Sequence, residues 1–299
     1  MTHTQAPADP STALPSIERQ VADAQSAWRA EARVLGKLAT AFAPLARPAA
    51  YRDLAKLPKL LEKVEARVRA LPLAARGAAV LEGVRGDLAE RRRHLHENLA
   101  KDLRAACEAS KLELRVLRRD EPVEIRIPPF AVRIDREKGR ADLRFARETV
   151  ASCEADAAAI LRTRARTLET MRRGFQAERF FDACLTAWRA ACGAGKAGSG
   201  ERVELLDFLP FLVVQLQPAS FRVDPSERNF RAYSRAQFAF DLLQLRANGG
   251  LTQGGWRLNL GVATGTSATK KDRVIFVEDE NGDGEFKLSV FFARAEVGR

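Results

Sequence analysis

Three arginines on a predicted helix have the chemistry and the spacing to bind phosphate groups. Arg162, Arg166 and Arg173 are four and seven residues apart, so on a helix they lie close to one face. Guanidinium groups in such a row can contact the phosphates of a nucleic-acid backbone. The alternative is that they flank a coiled-coil seam and pair with the acidic residues of a partner.

A loop rich in hydroxyl groups carries a second set of cations. Residues 264–269 are small or hydroxylated and lead into Lys270, Lys271 and Arg273. The backbone N–H groups of such a loop, together with its cations, can hold a phosphate; the alternative is a solvated hairpin loop. The sequence therefore predicts six nucleic-acid-binding residues: Arg162, Arg166, Arg173, Lys270, Lys271 and Arg273.

A third group matches the D…E-x-K pattern of metal-dependent nucleases. In that pattern two carboxylates hold Mg²⁺ and a lysine assists the attacking water, and the matching residues here are Asp279, Glu285 and Lys287. Only 12 residues follow Lys287, fewer than the helix and strand that normally complete such a core. A nuclease is therefore kept as an alternative function.

The cysteines and histidines give no sign of a metal centre or a cofactor. No two of the four cysteines have the C-x-x-C spacing of a zinc or redox site. His94 and His96 are two residues apart on a predicted helix, so they point to different sides of it. We therefore expect no metal, no cofactor and a non-catalytic protein with free thiols.

The charge distribution suggests which part of the chain meets a polyanion. The formal net charge is +11, and residues 1–200 hold 37 basic and 26 acidic side chains, whereas residues 201–299 hold 13 of each. No apolar run approaches the roughly 20 residues that span a bilayer, and the first residues lack the features of a secretory signal. We expect a cytoplasmic protein that does not contact a membrane and that binds any polyanion through residues 1–200.

The spacing of apolar residues predicts long helices in the first two thirds of the chain. Residues 16–42 form an amphipathic pattern, and residues 1–14 are predicted to be a disordered tail. Apolar residues in 81–106 and in 150–175, the latter inside a predicted helix over 147–191, recur in steps of three, four or seven. This pattern predicts a long antiparallel, coiled-coil-like helical arm over residues 15–192.

A small sheet is predicted at the tip of this arm. Over residues 112–146, apolar and polar residues alternate in four short runs that are separated by turn residues, which is typical of antiparallel strands. The outward faces carry both acids and bases, so we expect ion pairs there, for example between Glu124 and Arg126. The arm and this β tip are the expected surfaces for a protein partner or for self-association.

The last third of the chain is predicted to be a separate α+β domain. Residues 193–200 are rich in glycine and are predicted to be a flexible linker before a domain at 201–299. Ser234 can cap a helix over 235–247, and three strands are expected at 256–263, 272–279 and 285–292 in an antiparallel sheet. The fold class is therefore α+β throughout.

These observations lead to one functional prediction and two alternatives. We expect a non-catalytic subunit of an intracellular multi-protein complex, which binds partner proteins and nucleic acid through the basic helical arm. The alternatives are the D…E-x-K nuclease and a plain coiled-coil scaffold whose positive charge is incidental.

Overall fold

A computed structural model describes residues 14–51, 53–71, 74–265 and 272–295. The chain combines helices with antiparallel sheets, and its internal contacts divide it into two compact units. The first unit comprises residues 1–97 and 137–139, and the second comprises residues 98–136 and 140–299. The predicted disordered tail lies outside the described residues, except for Leu14, where the first helix begins.

The first unit is helical. Its helices are α1 (Leu14–Phe42), α2 (Leu57–Arg69) and α3 (Ala74–Glu97), so the amphipathic helix predicted over 16–42 is confirmed. The core forms because apolar residues recur on one face of each helix; the buried residues of α2 and α3 are Leu57, Leu61, Val64, Val68, Gly77, Leu81, Leu88 and Leu95.

The second unit begins with helix α4 (Leu99–Ala109) and a five-stranded antiparallel sheet. The strands lie in sequence order: β1 (Arg115–Arg118), β2 (Val123–Ile127), β3 (Phe130–Asp135), β4 (Arg140–Phe145) and β5 (Glu148–Glu154). The predicted antiparallel sheet is confirmed by the pairing of β2, β3 and β4. Alternate residues such as Val132 and Ile134 are buried. The sheet also has a fifth strand, β5, which lies entirely beyond the predicted limit at residue 146.

The long coiled-coil arm is not confirmed. The single helix predicted over 147–191 is wrong, because this segment contains β5 followed by α5 (Ala157–Arg172) and α6 (Ala177–Gly193). Asp156 caps α5 by accepting a hydrogen bond from Ala159 N (2.8 Å), and Gly174, with φ +73°, separates the two helices. The helix predicted over 81–106 is also divided, since α3 ends at Glu97 and α4 begins at Leu99.

One part of the predicted helix packing is present within the second unit. Helix α4 precedes the first sheet, α5 follows it, and the two helices pack against each other. Leu103 and Cys107 of α4 and Ile160 of α5 are buried. The apolar spacing therefore identified packed faces correctly, although it did not show where the helices end.

The second sheet also lies in the second unit. Its strands are β6 (Val203–Glu204), β7 (Thr252–Gln253), β8 (Trp256–Val262), β9 (Ile275–Glu278) and β10 (Gly284–Arg294), and all its pairings are antiparallel. Three helices accompany it: α7 (Leu205–Gln215), α8 (Ala219–Val223) and α9 (Arg235–Ala247). The strands predicted in this region are confirmed as β8, β9 and β10, and the predicted helix as α9.

The glycine-rich segment 193–200 lies inside the second unit. It connects α6 to β6, and its Ala197 forms a β-bridge with Val203. Helix α6 packs against α7 and α9, which follow this segment. The predicted domain boundary therefore does not coincide with the division of the chain into units, because the elements on either side of 193–200 share one core.

Helix α9 joins the two sheets of the second unit. It contacts β9 of the second sheet and β5 of the first, and its Phe240 packs edge-on against Phe145 of β4, with ring centroids 5.2 Å apart. This packing places the first residues of β5, the start of α9 and one face of α5 around a common space. None of the described helices is long and apolar enough to cross a membrane.

Candidate anion-binding site

The second unit contains a polar groove of about 780 Å³ between β5, α5 and the start of α9. Two arginines, Arg166 and Arg235, line it together with Glu148. Most of the remaining polar lining consists of hydroxyl groups, from Thr149, Ser152, Thr163, Thr167, Thr170 and Ser234. Hydroxyl groups, guanidinium groups and backbone N–H groups are the donors that proteins use to bind phosphate oxygens.

The local structure explains why these side chains share one space. On α5, Arg166 and Thr167 follow Thr163 by three and four residues and precede Thr170 by four and three, so all four lie on one helix face. Strand β5 is an edge strand of the first sheet as the structure describes it, so the backbone groups along its outer edge do not pair with a further strand of that sheet. These two elements also pack against each other, and they form two sides of the groove.

The start of α9 forms the third side. Ser234 is the N-cap residue, and its hydroxyl accepts a hydrogen bond from Gln237 N (3.1 Å). The first N–H groups of a helix carry a partial positive charge. The Gln237 side chain donates to Met171 O (2.9 Å) and thereby fixes α9 to the end of α5.

The two arginines of the groove have different environments. Arg235 donates to Val274 O and to Asp272 O (3.3 Å), so backbone carbonyls hold its guanidinium group in place. Arg166 is exposed and has no side-chain partner within the described part of the chain. Arg166 is therefore the cation of the groove that remains available to a ligand.

The structure brings together only part of the predicted nucleic-acid site. Arg162 lies one turn before Arg166 on α5, is exposed, and likewise lacks a side-chain partner among the residues that the structure describes. Arg173 follows the end of α5, and its guanidinium lies 3.5 Å from the Glu169 carboxylate. Two of the three arginines predicted on this helix therefore remain uncompensated. Arg172, at the end of α5, is also exposed and has no acidic partner among the described residues.

The predicted cationic loop is described only at its end. Lys270 and Lys271 lie outside the described residues. Arg273 donates to the carboxylate of Glu204 (2.6 Å), and this hydrogen bond raises the pKa of Arg273 above its ordinary value. Its charge is thus already compensated, which weakens the prediction that Arg273 binds phosphate.

The residues of the nuclease pattern make local contacts around the turn between β9 and β10. Asp279 lies in the turn between β9 and β10, where its Oδ1 accepts hydrogen bonds from Asn281 N (2.8 Å) and Asp283 N (3.0 Å). Lys287 is ion-paired with Glu285. Within the described ranges, no group of three or more His, Cys, Asp or Glu side chains is placed to hold a metal ion.

A buried ion pair between the two sheets was missed by the sequence analysis. Arg126 is only 4% exposed, and its Nη2 lies 3.4 Å from Oε1 of the buried Glu278. The predicted pairing of Arg126 with Glu124 is wrong, because the second sheet covers this face of β2. Glu124 instead lies 3.6 Å from Arg118 and 3.8 Å from Arg144.

The surroundings of Arg126 indicate a structural role. Its Nη2 donates to Pro129 O (3.0 Å), and Glu278 Oε1 accepts from Ala146 N (3.2 Å). Burial raises the pKa of Glu278 and outweighs the opposing effect of Arg126. The guanidinium group also packs so closely on Gly282 that a Cβ there would overlap it. In the sequence, the Asn-Gly dipeptide predicts the turn that contains Gly282. It does not indicate that Arg126 packs on this turn.

A second cavity, of about 670 Å³, adjoins the groove beside this ion pair. It shares Glu148 and Arg235 with the groove, but its other arginines have partners. Arg144 donates to Arg147 O (2.6 Å), and the Arg147 guanidinium lies over the ring of Phe276, 4.1 Å from its centroid. We therefore assign the candidate ligand site to the polar groove.

A buried polar cluster supports the α9 side of the groove. The Tyr233 hydroxyl donates to Asp241 Oδ2 (2.7 Å), and Gln237 and Gln244 donate to Asp241 Oδ1 (2.8 and 3.1 Å). Burial raises the pKa of Asp241 to about 6, although these three hydrogen bonds oppose the shift. The cluster connects the segment before α9 to the helix and to Gln237, which lines the groove.

The stability of the protein should depend on pH through Asp241. Its pKa in the folded state is about 6, above the ordinary 3.8, so between these values the folded state keeps a proton that the unfolded chain has released. The free energy of unfolding is therefore expected to fall by roughly 3 kcal/mol as the pH rises through this window. Urea titrations over this range measure the change in the wild type and in Asp241→Asn, which lacks the titrating group. The same pH dependence in both proteins would contradict this assignment.

Comparisons of the chain with family models, with curated proteins and with solved structures find no match.

Proposed function

We propose that this protein is a non-catalytic, nucleic-acid-binding subunit of an intracellular multi-protein complex, and that α5 contacts the phosphates. The observation that carries this proposal is the pair Arg162 and Arg166, which are exposed on one face of α5 and have no acidic partner among the described residues. The adjoining polar groove offers the hydroxyl groups of Thr149, Thr167 and Ser234 as donors to phosphate oxygens. The hydroxyl groups of Ser152 and Thr170 already donate to Asp142 Oδ1 (2.6 Å) and to Arg166 O (2.8 Å).

The charge of α5 supports the same proposal. Within Ala157–Arg172 the helix has one acidic residue, Glu169. Its basic residues are Arg162, Arg164, Arg166 and Arg172. Arg164 is occupied structurally, since its Nε donates to Pro128 O (3.0 Å) and burial lowers its pKa. The exposed arginines give this surface a positive potential, which favours association with a polyanion at low ionic strength.

The protein-binding part of the proposal rests on exposed apolar side chains around α7 and α8. Val214 of α7 is 57% exposed and Val223 of α8 is 87% exposed. Leu206 and Phe230 are also exposed large apolar residues of this region. Several solvent-exposed apolar side chains in one region are typical of a surface that binds another protein.

Salt dependence of binding provides the test. With a fluorescent DNA duplex and the full chain, the logarithm of the binding constant should fall linearly with the logarithm of the salt concentration, by about 0.9 per phosphate contacted. The variant Arg162→Gln/Arg166→Gln should bind more weakly and show a slope smaller by roughly two contacts. Fluorescence anisotropy at several salt concentrations measures both quantities.

A matched variant separates a specific surface from a general effect of charge. Arg222 and Arg246 are exposed on α8 and α9 of the same unit, and neither has a side-chain partner within the described ranges. Arg222→Gln/Arg246→Gln removes the same charge and should leave the slope close to that of the wild type. Equal losses in the two double variants would contradict a role for α5, and no binding by the wild type would exclude the nucleic-acid function.

A further inference from the structure

Two exposed arginines lie over one tryptophan ring beside the second sheet. The guanidinium carbons of Arg294 and Arg189 lie 4.3 Å and 5.3 Å from the ring centroid of Trp256. Trp256 is partly exposed, and both arginines are exposed. Electrostatic attraction between a guanidinium group and the face of an aromatic ring stabilises such contacts. We call these three residues the arginine–tryptophan cluster.

Regular secondary structure positions all three members of the cluster. Arg294 and Trp256 lie opposite each other on the paired strands β10 and β8. Arg189 lies on α6 directly after the buried Trp188. The Trp188 ring centroid lies 6.1 Å from that of Trp256 and 5.4 Å from that of the buried Phe292. The cluster is therefore held by one helix and two strands that share a packed aromatic core.

The two positive charges of the cluster lack a compensating carboxylate. Neither Arg189 nor Arg294 has an acidic partner among the residues that the structure describes. The acidic residues of α6, Glu178 and Asp182, precede Arg189 by eleven and seven residues, which is about two turns or more. Asp182 Oδ1 accepts a hydrogen bond from Gln253 (2.9 Å). Two guanidinium groups over the same ring repel each other, and an anion between them would offset this repulsion.

We infer that the arginine–tryptophan cluster binds a phosphate group between the guanidinium groups of Arg189 and Arg294. Neither guanidinium group donates a hydrogen bond to another described residue, so the planar N–H donors of both remain available to phosphate oxygens. A phosphate group carries up to two negative charges, which match the two arginines. The contact with Trp256 holds both groups in place before the ligand binds, and this lowers the entropic cost of binding.

The phosphate belongs either to a small phosphate compound or to a nucleic-acid backbone, because both present the same oxygens to a guanidinium group. The cluster shares no residue with α5 or with the polar groove. This inference therefore does not rest on the function proposed above.

The tryptophan emission of the full chain tests this inference, because Trp256 contacts both guanidinium groups. At constant ionic strength, inorganic pyrophosphate or a single-stranded DNA oligonucleotide should change the emission in a saturable way. In Arg189→Gln/Arg294→Gln the dissociation constant should rise roughly tenfold or more, since hydrogen bonds from two charged groups are lost. Both arginines are exposed, so this variant should fold, and its urea titration should match that of the wild type.

A matched variant separates this site from a general effect of charge. Arg104 and Arg246 are exposed on α4 and α9, and neither has a side-chain partner within the part of the chain that the structure describes. Arg104→Gln/Arg246→Gln removes the same charge and should leave the dissociation constant close to that of the wild type. Equal losses in the two double variants would overturn the inference.

The two ligands distinguish the sources of the phosphate. An emission change with pyrophosphate supports a small phosphate compound. A change with the oligonucleotide alone, which Arg189→Gln/Arg294→Gln abolishes, supports a nucleic-acid backbone. No change in the wild type with either ligand would refute the site. The pyrophosphate titration and the duplex measurements on α5 use different ligands and different variants, so either site can fail without the other.

Discussion

Replacing Arg126 with methionine is expected to lower the free energy of unfolding of the second unit by about 3–5 kcal/mol, since this change leaves a buried charge without its partner. Arg126 and Glu278 are both nearly inaccessible to water and lie 3.4 Å apart. Methionine fills a similar volume but cannot compensate the carboxylate or donate to Pro129 O. Urea unfolding, followed by circular dichroism, measures the loss.

Two further variants determine whether this loss comes from the buried pair. Arg126→Met/Glu278→Leu removes both charges and should recover most of the lost stability, because a buried ion pair can often be replaced by apolar residues at little cost. Arg228→Met breaks an exposed ion pair with Asp224 (2.7 Å) in the same unit and should cost less than about 1 kcal/mol. If Arg126→Met cost no more than Arg228→Met, the docking of the two sheets through this pair would be incorrect.

The sequence predicted the elements whose signals are local. Alternation over residues 123–145 gave β2, β3 and β4, because alternate apolar residues of each strand are buried. Ser234 and the two glycines at 249 and 250 gave the limits of α9, since a helix cap and a helix stop are set by adjacent residues. The apolar spacing of residues 16–42 predicted α1, because this signal is also local to the segment.

The long helix over 147–191 was wrong because its apolar spacing fits two structures. In β5, Val150 is followed by Cys153 and then by Ala157 at the start of α5, and these steps of three and four also fit a helix. The cap at Asp156 and Gly174 at the end of α5 were local signals against one continuous helix. Residues 148–154 form a strand because they pair with β4, which is made by other residues of the chain. This pairing between strands decided the structure of the segment.

The candidate site combines predictable and unpredictable features. The pairing of Glu169 with Arg173 could be predicted, because the two are four residues apart and the sequence pattern placed both on a helix. The threonines that accompany Arg166 on one face of α5 were equally readable but were missed. By contrast, Arg273 pairs with Glu204, 69 residues earlier, and the second sheet buries Arg126. Such contacts depend on how the sheets pack, and no local pattern in the sequence encodes them.

Replacing Phe145 with alanine is expected to lower the free energy of unfolding by about 3–5 kcal/mol, the usual cost of removing a buried aromatic ring and leaving a cavity. Phe145 is 1% exposed and makes edge-on contacts with Phe130 (centroids 6.3 Å apart) and with Phe240 of α9 (5.2 Å). The ring therefore connects the first sheet to the helix that forms one side of the polar groove, and its loss should loosen that side as well.

The size of this effect should depend on burial, not on aromatic contact alone. Phe230 also contacts another ring, that of Phe221, at 5.7 Å, but it is 46% exposed, so Phe230→Ala should cost about 1 kcal/mol or less. Phe145→Leu keeps most of the apolar volume and should lose clearly less stability than Phe145→Ala. Parallel urea titrations of the three variants provide the comparison. Equal losses for Phe145→Ala and Phe230→Ala would mean that α9 does not pack on the first sheet, and the groove would then lack one of its three sides.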